Sequence, residues 1–521
     1  MRDRDLLTRT PPTFQRALIG GLICLAGLCV LAYVRGYVAN RSLWNDEALL
    51  ALNFVPRTRL LQPMLFTAAP IGFIALTSFS IASAGGASEH ALRAWPLLAA
   101  ILSLPAIYIV ARRVVSTWAA LFAVCLAGTA PSLVYYSSEF KPYSSDALIS
   151  ACLLGLAAFH LQTGRRSWTV AALCIACSVA VWASFPAIVI VAAVWLAVAV
   201  EMRKERPGPI ALVIVAAMVS AASFVAAYGA SKSLVADYSD LKEFFAGGFL
   251  PLPPRSLYDA TLWVRRVLAL FSDPFVGIGD AWAVSARVGL LVCALWIIGV
   301  LTLRKRNAAL TILLTAPLLG VIATAALHLY PAEGRLLLFL LPVVAIGAAI
   351  GVEAIAGKDP ATATCVAALL LALPILGLSQ QLRTPAGFQE VRSAVVALTD
   401  QARRGDPVYV FYGAAPVFSY YQRRELLRDR DDLKVIVGTA HHDVPFEYVR
   451  DICDAADSKH TWVILAHPWT WHLDEREFIL ATLRHASAIV KSVEFEGAGL
   501  YLVDLSGREG MDVCRVAHHE P

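Results

Sequence analysis

The sequence predicts an α-helical polytopic membrane protein of about eleven spans, carrying a small α/β domain outside the membrane at its C-terminal end. Three observations predict it. First, 58% of the 521 residues are hydrophobic and only 16% are charged, and the mean hydropathy is +0.64; a water-facing surface of this size needs far more charge. Second, the apolar residues come in blocks of roughly 20, the length that crosses a hydrocarbon core at about 1.5 Å per residue. Third, beyond residue 384 the blocks stop, and strand-like runs alternate with amphipathic stretches.

The blocks fall at 17–38, 89–111, 117–134, 144–162, 168–184, 186–201, 209–228, 283–303, 308–328, 335–354 and 361–379. The first is too long, and too poorly followed by a small-residue cleavage site, for a removable signal peptide. Basic clusters set the orientation. Arg2, Arg4, Arg9 and Arg16 precede the first block; Arg112-Arg113, Arg165-Arg166, Arg203-Lys204-Arg206, Arg304-Lys305-Arg306 and Lys358 follow the second, fourth, sixth, eighth and tenth. All then lie on one side, which the positive-inside rule makes cytoplasmic. The other side receives 39–88, 229–282 and the tail, so the chain divides into a bundle over 1–383 and an external domain over 384–521. Within 39–88 the apolar stretch 60–84 is broken by Pro63, Pro70 and Gly72. It reads as interfacial or re-entrant helices, because a further span would invert every later cluster.

In the tail, the runs 407–412, 433–437, 461–466 and 499–503 read as strands, with amphipathic stretches at 388–404 and 474–486. That alternation suggests a largely parallel sheet. Eight of the ten cysteines sit inside apolar blocks, where a thiol is a small hydrophobe; Cys174 and Cys177 share a redox-like spacing but lack polar neighbours. Cys453 and Cys514 lie in the polar tail and could pair in an oxidising compartment. The net charge of +5 resides mostly in orienting clusters, which leaves no case for nucleic acid. The sequence shows no glycine-rich phosphate loop and no internal repeat.

Polar residues near a bilayer are costly and mark functional sites. Three groups qualify, all external. Trp44-Asn45-Asp46-Glu47 reads either as an interfacial Trp before solvated acids, or as a carboxylate base or metal ligand whose pKa rises near a low-dielectric boundary. Tyr135-Tyr-Ser-Ser-Glu139-Phe-Lys141-Pro-Tyr143-Ser-Ser-Asp146 puts more polar groups between two apolar helices than a hairpin needs, and Lys141 could bind a phosphate with Tyr143 beside it. In His328-Leu-Tyr-Pro-Ala-Glu333-Gly-Arg335, the arginine either snorkels to headgroups or grips a phosphate. A fourth group, His467-Pro-Trp469-Thr-Trp471-His472, reads as an aromatic patch packing on membrane or bundle, or as a metal or sugar contact.

Taken in order with Ala69-Pro70-Ile71-Gly72-Phe73, Ser88-Glu-His-Ala-Leu-Arg93 and Glu333-Gly-Arg335-Leu-Leu-Leu-Phe-Leu-Leu-Pro342, these groups resemble the protein-mannosyltransferase-like superfamily of GT-C membrane glycosyltransferases. Aminoarabinose transferases and protein O-mannosyltransferases are its relatives. The resemblance covers about residues 17–380; many relatives carry Pro-Pro-Leu-Tyr-like residues where this chain reads 69–73. It implies a GT-C bundle with an external active site and a sugar donor on polyprenyl phosphate. Asp46 falls on the family's catalytic acid, with Glu47 supporting or sharing the role. Lys141 and Arg335 fall where relatives place cations near the lipid phosphate, Tyr143 beside them, with Trp44, Glu139, Asp146 and Glu333 completing the pocket.

The expected reaction inverts the anomeric carbon: a carboxylate deprotonates an acceptor hydroxyl as polyprenyl phosphate leaves, and cations stabilise the departing charge. The acceptor would be a glycan, lipid or protein. Such a donor needs no nucleotide-binding loop. Asp46 and Glu47 supply hard oxygens that a divalent metal could use, although no second ligand set declares one. The resemblance implies the bacterial cytoplasmic (inner) membrane, with site and tail facing the periplasm. The rival reading, a lipid-linked sugar flippase without catalysis, would put binding residues near the midplane on broken helices in two related halves, and neither feature is evident.

Overall fold

The computed structural model describes residues 12–55, 69–163, 167–202, 207–233, 245–275, 282–385, 387, 389–424, 432–442, 444–456, 460–467 and 474–519. The chain forms two compact units, Met1–Ala39 with Ala68–Pro385, and Asn40–Thr67 with Ala386–Pro521. Of the first external segment, Asn40–Thr67 is therefore grouped with the tail and the remainder with the bundle, a division that nothing in the sequence announces.

Among the described residues of the helical unit, eight helices are long and apolar enough to cross a membrane: Arg16–Val38, Glu89–Ala111, Tyr143–Gln162, Ile210–Lys232, Val284–Arg304, Ala308–Ala326, Gly334–Ala356 and Pro360–Arg383. The other three expected spans are shorter apolar helices, Thr117–Gly128, Trp168–Ala183 and Ala187–Met202. The 117–134 block breaks because its helix ends at Thr129 and Pro131 starts a new one, Pro131–Tyr136; proline suits a first helical turn but interrupts an interior. In the stretch read as re-entrant, a 14-residue helix covers Ile71–Ala84, and 60–68 lies outside the described residues.

The centre of this unit is Gly334–Ala356, whose most apolar stretch is 94% buried, against 22% for Arg16–Val38. Small residues let its neighbour come close. A Cβ on Gly299 would meet the Gly347 carbonyl oxygen at 2.2 Å, and one on Gly351 would meet the Leu295 oxygen at 2.0 Å. The two backbones touch, the usual way apolar helices associate where hydrophobicity cannot drive them. Side chains close the helix ends: Asn307 Oδ1 accepts the Leu310 N–H at 3.0 Å, and the Ser88 hydroxyl accepts that of Ala91 at 3.1 Å. Glu353, from the cytoplasmic end expected of the central helix, accepts the Ser116 N–H at 2.7 Å and so caps Thr117–Gly128 from another helix.

The second unit is built on a five-stranded sheet in the order β2-β1-β3-β5-β4, with β1 Pro407–Val410, β2 Lys434–Val437, β3 Thr461–Ala466, β4 Ile489–Phe495 and β5 Ala498–Val503. β1 pairs parallel with β2 and β3, whereas β5 runs antiparallel to β3 and β4. The largely parallel sheet expected from the sequence is thus mixed. The reason is the connection Glu496-Gly497, where Gly497 at φ +65° turns β4 directly back into β5, and a two-residue turn can join only antiparallel strands. β1 and β3 are buried throughout, with Tyr409, Val463 and Leu465 packing on Ile452, Ile479 and Leu483. A disulfide between Cys453 and Cys514 ties Phe446–Ala455 to Arg508–His519 and settles the pairing that spacing left open.

Candidate functional site

The Asp46 motif begins a short helix, Asn45–Ala51, with Trp44 as its N-cap. Trp44 offers no side-chain acceptor to the helix start; Glu47 reaches back instead, its Oε2 accepting the Trp44 N–H at 3.4 Å, and its side chain is fully buried. Asp46, one residue earlier, stays partly exposed. The residues before the helix are fastened to the tail. The Ser42 N–H donates to Glu390 Oε1 at 3.2 Å, the Leu43 N–H to the Tyr421 hydroxyl at 3.0 Å, and the Arg392 N–H to Ser42 Oγ at 3.2 Å. Asn45 makes two ties, its N–H to Gln389 Oε1 at 3.2 Å and its Nδ2 to the Gly413 oxygen at 3.1 Å.

Gln389 also meets His467, its Nε2 lying 2.5 Å from Nδ1, while the imidazole stands 6.2 Å from the Trp44 ring at 57°. Burial pushes the His467 pKa down, with the negative charges of Asp46 and Glu475 opposing it. Glu475 is itself buried and accepts the hydroxyls of Tyr448 at 2.7 Å and Tyr412 at 2.9 Å, with His442 Nδ1 at 2.8 Å. A buried carboxylate so surrounded is satisfied rather than reactive.

In the helical unit, the polar connection expected at 135–146 is a tight turn. It runs between Pro131–Tyr136 and Tyr143–Gln162, closed by Ser144 Oγ donating to the Tyr136 oxygen at 2.8 Å and Lys141 N–H to the Glu139 oxygen at 2.8 Å. Glu139, Lys141 and Asp146 are buried there. Arg335 enters from the 3₁₀ turn Gly334–Leu340. Its guanidinium lies 5.9 Å from the ring centres of both Tyr143 and Phe245 and hydrogen-bonds the Tyr136 hydroxyl, and the Tyr136 and Tyr143 rings meet edge-on at 4.9 Å. The structure therefore brings Arg335 and Tyr143 together, with Tyr136 as an unforeseen third member. Nearby, the Tyr330 hydroxyl donates to the Leu336 oxygen at 2.8 Å.

Glu333 pairs with Arg266 at 3.3 Å. Burial raises its pKa, against the pull of Arg266. Asp273 Oδ2 accepts the Gly334 N–H at 2.8 Å, and burial raises its pKa too. Asp273 thereby holds the turn that aims Arg335. Sequence reasoning missed Arg266 and Asp273, although the charges and aromatics of 229–282 were a signal that the segment does more than connect.

Among the described residues, no three His, Cys, Asp or Glu side chains are grouped to hold a metal ion. Of the aromatic group at 467–472, Trp469, Trp471 and His472 lie outside the described residues; His467 belongs to the Asn45–Gln389 contacts.

No protein-family model and no curated protein sequence matches the chain. Solved structures do. The apo structure of ArnT from Cupriavidus metallidurans matches at a TM-score of 0.52 and 12% identity, covering 93% of this chain and 98% of that one. ArnT bound to undecaprenyl phosphate matches at 0.52 and 11%, with the same coverage. The oligosaccharyltransferase AglB from Archaeoglobus fulgidus, in complex with an inhibitory peptide and a dolichol-phosphate, matches at 0.50 and 12%, covering 85% of this chain and 69% of that one. Both are GT-C membrane glycosyltransferases, and this chain has the GT-C fold.

Proposed function

We propose that this chain is a glycosyltransferase that moves a sugar from polyprenyl phosphate to an acceptor hydroxyl outside the bacterial cytoplasmic membrane. Asp46 is the general base, and the carrying observation is the division of labour within its motif. Glu47 is buried and caps the helix, whereas Asp46, one residue before it, is only partly buried.

The fold supports the donor class, since ArnT is seen with undecaprenyl phosphate and AglB with a dolichol-phosphate. Arg335, backed by Tyr136, Tyr143 and Phe245, has the character of an anion clamp, and Lys141 adds a second cation for the departing phosphate. In the reaction the acceptor oxygen, losing its proton to Asp46, attacks the anomeric carbon from the face opposite the phosphate. The C–O bond to phosphate breaks with its electron pair on the phosphate oxygen, giving inversion and polyprenyl phosphate. Because the clamp charges are already oriented, they stabilise the leaving group without reorganisation. The Cys453–Cys514 disulfide supports a tail in an oxidising compartment, outside the cytoplasm.

The test is transfer of radiolabelled sugar from undecaprenyl-phosphate donors in membranes carrying the wild type or Asp46→Ala. Transfer that vanishes in a folded variant supports the reading. A variant as active as the wild type removes Asp46 as base, and a wild type inert with every donor removes the enzyme class.

A further inference from the structure

The helix Tyr143–Gln162 meets Arg335 at its first residue. Its last turn, about 30 Å away at 1.5 Å per residue, meets a second arginine. Arg112 and Arg113 follow Glu89–Ala111 on the side that the basic clusters assign to the cytoplasm, and the two are used differently. Arg112 Nη1 donates to the Val115 oxygen at 2.7 Å and so closes its own turn. The Arg113 guanidinium lies 4.9 Å over the centre of the Phe159 ring. Gln162 brackets Arg113, its Oε1 accepting from Nη1 at 3.3 Å and its Nε2 donating to the Arg113 carbonyl oxygen at 2.8 Å. Among the described residues no carboxylate pairs with Arg113, and its buried Nε–H finds no acceptor.

Beside this cation lies a groove of about 540 Å³ between Glu89–Ala111, Tyr143–Gln162 and the shorter helix Ser167–Ala183. Its walls are apolar, formed by Ile109, Val110, Leu156, Phe159 and Leu173. Trp168, 55% exposed, stands at the cytoplasmic start of its helix, 6.2 Å from the Phe159 ring, where an indole belongs at headgroup depth. From Arg113 the groove reaches back to Ala106, about 10 Å at the helical rise and a third of a hydrocarbon core. It is therefore confined to one leaflet. His160 Nδ1 and Thr169 Oγ1, 2.6 Å apart, tie two of its three helices together.

We propose that this groove binds an anionic phospholipid of the cytoplasmic leaflet, with its phosphate on Arg113 and one acyl chain along the groove. A guanidinium with no acid to balance it, at headgroup depth beside an apolar groove, matches a molecule that is phosphate at one end and hydrocarbon at the other. Basic pockets between helices on the cytoplasmic side recognise anionic headgroups on this principle. A phosphate oxygen also supplies the acceptor that the Nε–H lacks, and a buried donor left unmet is costly. The site is separate from the proposed donor clamp, since Arg335 meets the opposite end of Tyr143–Gln162. An arginine that only snorkels to water needs neither the groove nor the aromatic ring beneath it.

The test titrates full-length protein in detergent with dioleoyl phosphatidylglycerol or dioleoyl phosphatidylcholine, which share their chains and differ in charge. Native mass spectrometry counts the lipid retained. The wild type should hold phosphatidylglycerol at least about fivefold more tightly, the scale of one basic residue at an anionic surface. Arg113→Gln should abolish that preference, whereas Arg112→Gln, which costs the same formal charge one residue away, should keep it within about twofold. Cys152 is exposed and lines the groove, so Cys152→Trp fills it with every charge in place. Phosphatidylglycerol should then bind at least about fivefold more weakly, because several methylenes lose their contact. This variant carries the test alone if Arg113→Gln does not elute as a single folded species. Equal retention of both lipids by the wild type, a preference that survives Arg113→Gln, or binding indifferent to Cys152→Trp overturns the proposal. So does undecaprenyl phosphate displacing phosphatidylglycerol at equal concentration, which would make the groove a second site for a prenyl carrier.

Discussion

Glu47 Oε2 accepts the backbone N–H of Trp44 at 3.4 Å, so of two adjacent carboxylates one is spent on starting a helix. Glu47→Gln keeps an oxygen for that N–H, and transfer should stay within about tenfold of wild type, with local stability lowered by roughly 1 kcal/mol. Asp46→Asn removes the proton acceptor and should lower kcat by about 10²- to 10⁴-fold. Initial rates of transfer in membranes with matched protein levels check both. A larger loss from Glu47→Gln than from Asp46→Asn would reverse the assignment.

The spans, the tail's change of character and the polar groups were all legible because each is a local pattern: apolar length, period-two alternation, or charge where charge is costly. What stayed hidden depends on partners far away in sequence. Ser42 meets Glu390 and Tyr421, and nothing in either stretch encodes the other. Gln389 looked like one polar residue of an amphipathic stretch. β4 went unread because Lys491 and Glu494 on an exposed edge strand give it a polar face, a common device for discouraging edge pairing. Missing β4 also hid the hairpin that makes the sheet mixed. Asp273 was invisible because its function is to hold a backbone N–H at Gly334.

Arg335 to lysine is the sharpest probe of the phosphate clamp. Lysine keeps the charge but loses the planar face set against Tyr143 and Phe245 and the fork that bonds Tyr136. The expected result is a fall in kcat/KM of about a hundredfold, the scale of losing one donor to a developing oxyanion. Competition by undecaprenyl phosphate should weaken in parallel. Undiminished competition with lost turnover would place Arg335 away from the phosphate.

Asp273→Ala should resemble a milder Arg335 variant without touching substrate. It leaves the Gly334 N–H, now bonded at 2.8 Å, without its acceptor, and releases the turn that carries the guanidinium. Asp273→Asn retains an oxygen for that N–H and should restore most of the activity. The same competition assay reads the pair; equal loss in both variants would mean that the carboxylate charge matters rather than the turn.

The Cys453–Cys514 disulfide closes a loop across 61 positions, which in the chain-entropy view contributes roughly 4 kcal/mol to the tail's unfolding free energy. A Cys453→Ser, Cys514→Ser protein should unfold at lower temperature and be cut faster in the tail by protease, with the bundle unaffected. The bond also reports compartment. In intact cells, a membrane-impermeant maleimide should label neither cysteine until an impermeant reductant is added; labelling without reductant, or protection throughout, would argue against an oxidised external tail.

His467 gives the tail's stability a pH dependence. Its folded pKa is depressed below the ordinary value of 6.5, chiefly by burial, with Asp46 and Glu475 only partly offsetting this. Below pH 6.5 the unfolded chain therefore binds a proton that the folded tail does not, and linkage makes stability fall as pH falls. The contribution is fully present above 6.5 and is lost as pH drops from there toward the folded pKa. Thermal unfolding of the full-length protein, followed by tail-specific proteolysis between pH 7.5 and 5, should show a declining midpoint. His467→Gln removes the titrating group and should flatten that decline relative to wild type. A wild-type curve already flat over this range, or a slope unchanged by the substitution, would show that His467 takes up its proton as readily in the fold as in the unfolded chain.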